Sequence, residues 1–189
     1  ASAKTICKRY KGNQAHAEYL EQMAGRFFDL LQKYHGLGER ERLLLRLAAI
    51  LHDCGKFISM SAPGECAYQI IMSTEILGIS HMEREMVASI VRYNTMELPN
   101  FSEFDGKLGN DEYLIVMKLA AILRVCNALD RSHRQKFADM RLTIKDSNIV
   151  ITTAYPDNIT LEKKTLQDKQ DFFEEVYGLG FEIKQKKKK

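Results

Sequence analysis

The apolar positions of this chain change period near residue 140, and that change constrains its fold more than any other feature. Upstream they recur every three or four residues, the spacing of one helix face; downstream they alternate, the spacing of a strand. From Asn13, placed as an N-cap, Ala17, Leu20, Ala24, Phe27, Phe28 and Leu31 form one stripe, which Gly36 closes. Glu39 to Leu51 carries a second, through Leu43, Leu44, Leu47, Ala48 and Leu51, and Glu65 to Leu77, closed by Gly78, a third. Ser80-His81-Met82-Glu83 is a capping box that opens a fourth helix reaching Tyr93. A polar stretch from Asn94 to Asn110, with Pro99, Gly106 and Gly109, reads as the longest loop, and Asp111 to Asp130 as the apolar central helix.

Beyond residue 140, Arg141–Lys145 and Ile149–Thr153 alternate and are β-branched, with Asp146-Ser147-Asn148 as the turn between them. An amphipathic helix from Lys163 to Tyr177 and a last strand from Phe181 to Lys184 follow. The expected class is mostly α: a multi-helix bundle over residues 1–138, then a small β-β-α-β subdomain over 139–185 with an antiparallel sheet, then a basic tail at 186–189.

Composition narrows the function classes. With 45% hydrophobic residues, 28% charged and three prolines in 189, the chain is neither disordered nor collagen-like. The four cysteines stand far apart without a CxxC pair, so they read as reduced, half-buried apolar residues. No run approaches the ~20 apolar residues of a bilayer span, and no signal or transit pattern is present; the expectation is a cytoplasmic protein or an excised part of a longer one. The net charge of +3 suggests a polyanion partner, but Lys184 and Lys186–Lys189 carry it, and without those five lysines the body is at −2. No helix-turn-helix, RNA-recognition or zinc-finger pattern occurs, so sequence-specific nucleic-acid binding is not expected.

His52-Asp53, where the second helix unwinds, is the sharpest local feature. An imidazole and a carboxylate that both turn inward there can share a divalent cation, and His16, early in the preceding helix, can add a third ligand. A fourth is expected from a carboxylate late in the long apolar helix. The alternative is a buried hydrogen-bonded pair that only ties helices together. Arg92, Arg124, Arg131, Arg134 and Lys136 form a second group: Arg124 and Arg131 fall two turns apart on the expected long helix, a row suited to bidentate phosphate contacts, or else a solvated face.

Leu51-His52-Asp53-Cys54-Gly55-Lys56 resembles the signature of the HD superfamily of phosphohydrolases. Gln14-Ala15-His16-Ala17, Val91-Arg92-Tyr93-Asn94 and the string from Leu123 to His133 (Leu-Arg-Val-Cys-Asn-Ala-Leu-Asp-Arg-Ser-His) resemble the C-terminal, HD-like region of the Ppx/GppA phosphatases, the exopolyphosphatases and guanosine pentaphosphate phosphohydrolases. The similarity covers nearly the whole chain.

That resemblance implies an HD-like bundle in a fragment of a longer enzyme. The family's catalytic centre lies in two N-terminal actin-like domains that use Mg2+, and no phosphate loop of theirs is present here. It implies accessory work for this chain: binding polyphosphate or a nucleotide polyphosphate, meeting those actin-like domains, and forming a homodimer. For the superfamily's metal site it supplies His16, His52 and Asp53, with Asn127 where an aspartate is usual. An amide there lacks a charge that hard cations use, and Asp130 or Glu65 stand as replacements. Two other readings follow: an autonomous metal-dependent HD phosphohydrolase, and a pure dimerisation or interaction module.

Overall fold

The computed structural model describes residues 2–104 and 107–186. Asp105, Gly106 and Lys187–Lys189, the greater part of the expected basic tail, lie outside the described residues. Eight α-helices precede or flank one sheet: α1 (Ala3–Arg9), α2 (Gln14–Leu30), α3 (Gln32–His35), α4 (Glu39–Leu51), α5 (Pro63–Met72), α6 (His81–Thr95), α7 (Asn110–Leu129) and α8 (Thr160–Tyr177). Strands β1 (Arg141–Lys145), β2 (Asn148–Thr153) and β3 (Gly180–Gln185) complete the chain. The mostly-α class with a small α+β unit is as expected.

Local signals set the helix ends. Asn13 caps α2, its Oδ1 accepting the His16 amide at 3.0 Å, and Ser80 with Glu83 closes both halves of the box at α6. The third expected helix stops at Met72 rather than Leu77, because Ser73 and Thr74 turn their hydroxyls back onto the Ile70 carbonyl. The helix α1 was not foreseen. It is seven residues long, and its Ile6 and Cys7 are buried against the bundle, so tertiary packing holds it.

The core runs between α2, α4, α6 and α7, where Leu20, Phe27, Leu45, Leu51, Ile90 and Leu119 are fully buried. Helix α8 packs along α7, and the Tyr177 hydroxyl donates to the Lys118 carbonyl at 2.8 Å.

The sheet corrects one expectation. β1 and β2 form an antiparallel hairpin whose turn residues Asp146 and Ser147 both take positive φ, as a two-residue turn of the favoured hand requires. β3, however, pairs parallel to β2, from Asn148 opposite Gly180 to Thr153 opposite Gln185. Helix α8 is the crossover that brings β3 back in the same direction, so the sheet is mixed.

The topology gathers the start of α2, the end of α4, the start of α5 and the ends of α6 and α7 at one end of the bundle. Gly55 permits the closest of these approaches. A Cβ there would lie 1.9 Å from the Pro63 carbonyl oxygen and 2.6 Å from the Ala67 amide nitrogen, so only glycine lets α5 dock on the turn after Asp53.

Candidate functional site: a buried His-His-Asp corner

At that end of the bundle His16, from the first turn of α2, meets His52 and Asp53 at the end of α4. One nitrogen of each ring and a carboxylate oxygen of Asp53 lie within 4.8 Å of one another. The rings stand edge to face, with centroids 4.9 Å apart. Both histidines are buried, and the Asp53 side chain is 12% exposed.

The hydrogen-bond partners fix which ring nitrogen carries the proton. His52 Nδ1 lies 2.6 Å from the Ala49 carbonyl, which can only accept, so the proton is on Nδ1 and Nε2 carries a lone pair. Burial pulls the His52 imidazole down to about 4, outweighing the neighbouring Asp53 carboxylate, so the ring is neutral at neutral pH. His16 Nδ1 lies 2.6 Å from Asp130 Oδ2, a carboxylate oxygen that can only accept, so Nδ1 donates there and Nε2 is the ring atom turned to the corner. Among the described residues neither Nε2 has a hydrogen-bond partner.

His52 Nε2 then faces Asp53 Oδ1 at 3.3 Å with no proton between the two atoms. Two acceptors at that distance repel unless a positive charge joins them. Lys56 supplies part of that charge, with its Nζ 2.6 Å from the same oxygen. Burial works against the Asp53 carboxylate, but His52 and Lys56 outweigh it and the group titrates below its ordinary range. Two imidazoles and a carboxylate suit Zn2+, Mn2+, Fe2+ or Co2+ better than Mg2+, and the orphaned nitrogens fit such an ion.

The structure sorts the remaining site residues. Asp130 is not beside the corner but behind it. It is buried, it orients His16 through Oδ2, and it accepts the Gln135 amide on Oδ1 at 2.8 Å, the carboxylate–histidine arrangement that commonly backs metal ligands. Asn127 is half-buried, one turn earlier on α7. Glu65 pairs with Arg92 at 2.8 Å and is not one of the three clustered residues. Asn94, in the last turn of α6, is buried with neither amide atom hydrogen-bonded.

The expected row of cations does not assemble. Helix α7 ends at Leu129, so Arg131 lies in the following turn and not two turns along the same face as Arg124. Arg124 donates from Nε to the Tyr93 carbonyl at 2.7 Å and from Nη2 to that of Met96, which caps the end of α6, and its guanidinium covers the Phe172 ring. Arg92 lies between Glu65 and the faces of Tyr68 and Tyr93. Lys136 is buried against Glu162 at 3.2 Å and donates to the Asn158 carbonyl. Arg131 and Arg134 alone of the five are exposed. Arg124→Ala should therefore lower stability by about 1–3 kcal/mol in chemical denaturation, the cost of leaving end-of-helix carbonyls unpaired, while polyphosphate affinity stays within twofold of wild type. A large loss of affinity at unchanged stability would restore the row.

Sequence reasoning missed one residue here. His133 closes the string that resembles the family and is given no role of its own there, yet its ring stacks on His16 with centroids 3.8 Å apart and planes 18° from parallel. The local pattern does not state that contact, because the two rings come from segments far apart in the sequence.

A helical bundle that ends in a two-histidine, one-carboxylate corner, followed by a mixed sheet whose last strand packs on α8, is the class of domain these observations define. The family model for Ppx/GppA phosphatase, domain III, matches residues 1–171, and the chain belongs to that family. The matched region is an accessory domain of these phosphatases. No curated protein matches the chain. Among the described residues no helix is long and apolar enough to cross a membrane.

Proposed function

We propose that this chain is the phosphate-holding accessory domain of a Ppx/GppA-type phosphatase, and that it holds polyphosphate or a nucleotide polyphosphate by means of a divalent cation at His16, His52 and Asp53. Phosphoanhydride cleavage belongs to the actin-like, Mg2+-using domains of the parent enzyme, and the parent is a cytoplasmic homodimer. The observation that carries the reading is the pair of acceptors, His52 Nε2 and Asp53 Oδ1, 3.3 Å apart with the imidazole proton committed elsewhere. The cation would supply positive charge against phosphoryl oxygens. The chain's own residues do the rest: Ala49 and Asp130 hold the two tautomers, Gly55 lets α5 close the corner, and Lys56 tempers Asp53.

Chelator-treated protein titrated with Mn2+ or Zn2+ should bind one ion per chain, and His52→Ala should bind none. Failure of the wild type to bind either ion would end this reading. The same corner also favours an autonomous phosphohydrolase, and activity separates the two. The isolated chain should release no phosphate processively from long-chain polyphosphate; sustained release that stops in His52→Ala would establish the second reading instead.

A further inference from the structure

The histidine that the sequence left without a role has its donor atom fixed by a short chain of constraints. Asn13 Oδ1 accepts the His16 backbone N–H at 3.0 Å as the cap of α2, so the amide cannot turn over. Its Nδ2 therefore faces His133 Nδ1, 3.4 Å away. An amide nitrogen only donates, so His133 Nδ1 accepts and the ring proton sits on Nε2. His133 Nε2–H is then an exposed donor beside the corner, with no acceptor among the described residues.

The backbone holds the ring there against a preference. His133 sits at φ +56°, a left-handed conformation that costs a non-glycine residue about 1 kcal/mol. Its amide donates to the Asp130 carbonyl at 2.9 Å, and the next turn is tied to the Asp130 carboxylate through Gln135. One aspartate thus places both His16 and the residue stacked on it. Lys56 stands by Asp53 as an ion pair, with its side chain 36% exposed.

We infer that His133 Nε2–H and Lys56 Nζ form the contact edge for a phosphoryl anion at the mouth of the His16/His52/Asp53 corner. The inference rests on the cation reading given above, for an electrostatic reason. Asp53 presents its carboxylate at the corner and Lys56 pairs with it, so the two offer an anion no net positive charge until a divalent ion is bound. Phosphate binding should therefore depend on the cation, and its strength on His133 and Lys56.

Inorganic phosphate and Mn2+ serve as probes with the full chain. Mn2+ occupancy is read by electron paramagnetic resonance, and phosphate by the broadening of its 31P resonance by the bound ion. His133→Phe keeps the stack on His16 and removes the donor; Lys56→Met removes the ammonium. Each should weaken phosphate binding about tenfold, as expected for one hydrogen bond to a charged group, with Mn2+ occupancy unchanged and folding unchanged by circular dichroism. Broadening equal to wild type in both variants, with Mn2+ bound, overturns the inference and leaves the cation reading intact. A matched loss of Mn2+ and phosphate overturns it as well, because the two residues would then act on the ion. Absence of Mn2+ binding in the wild type removes the cation reading and this inference together.

Discussion

Asp130→Asn should abolish cation binding while leaving the fold largely stable. Asp130 accepts the Gln135 amide on Oδ1 and the His16 imidazole on Oδ2. In the asparagine variant the Gln135 N–H still needs an oxygen, so the new NH2 must face His16 Nδ1. That nitrogen then has to accept, and the imidazole proton moves to Nε2, the atom the cation needs. The loss should exceed the 10–100-fold usual for a partner behind a ligand, because the tautomer itself is wrong. Mn2+ titration measures the affinity, and 15N chemical shifts of the ring report which nitrogen is protonated. Asp130→Ala is the contrasting variant: it leaves two buried donors unpaired and should cost about 3–5 kcal/mol of stability. If Asp130→Asn binds Mn2+ like the wild type, Asp130 only braces the helices.

The second large effect is acid instability of the chelator-treated protein. Burial lowers His52 from its ordinary 6.5 to about 4 in the folded chain. Between those values the unfolded chain takes up a proton that the folded chain refuses. The neutral ring therefore costs nothing above pH 6.5, and stability falls as the pH drops through that window. At 1.36 kcal/mol per pH unit this one residue removes about 3 kcal/mol by pH 4. His35 and His133, also held low chiefly by burial, slope the same way. Urea denaturation at pH 7 and pH 4 gives the difference, and His52→Asn, whose amide can still donate to the Ala49 carbonyl, should recover most of it. Equal acid losses in the two proteins would show that His52 is not the group responsible. Saturating Mn2+ should raise stability at pH 7, by about 2.7 kcal/mol when the free ion is a hundred times its dissociation constant.

The parts of the fold that were readable were those set by short-range chemistry. The Ser80/Glu83 box, the Asn13 cap and the Asp146-Ser147 turn each join residues within three positions, so the sequence contains the whole interaction. The helix α1 and the early stop of α5 were not readable in this way. One depends on burial of Ile6 and Cys7 under distant helices, the other on hydroxyls that can bond the backbone in or out of a helix. The direction of β3 depends on where α8 docks, which its amphipathic stripe does not state.

For the site, residue types and spacing alone chose His16, His52 and Asp53, and a motif string reaching from Leu123 to His133 chose the family. Tertiary structure decided the roles. Asp130 stands 114 positions from His16 and turned from an expected ligand into the group that fixes a tautomer. Arg124 and Lys136 became a helix cap and a buried partner of Glu162, and His133, the last residue of that motif string, entered the site through its stack on His16. Periodicity and motif spacing are properties of neighbours along the chain, and they determine which face a side chain occupies. Which atom of that side chain is left free depends on what approaches it from elsewhere in the fold, and at this site the free atoms are what matter.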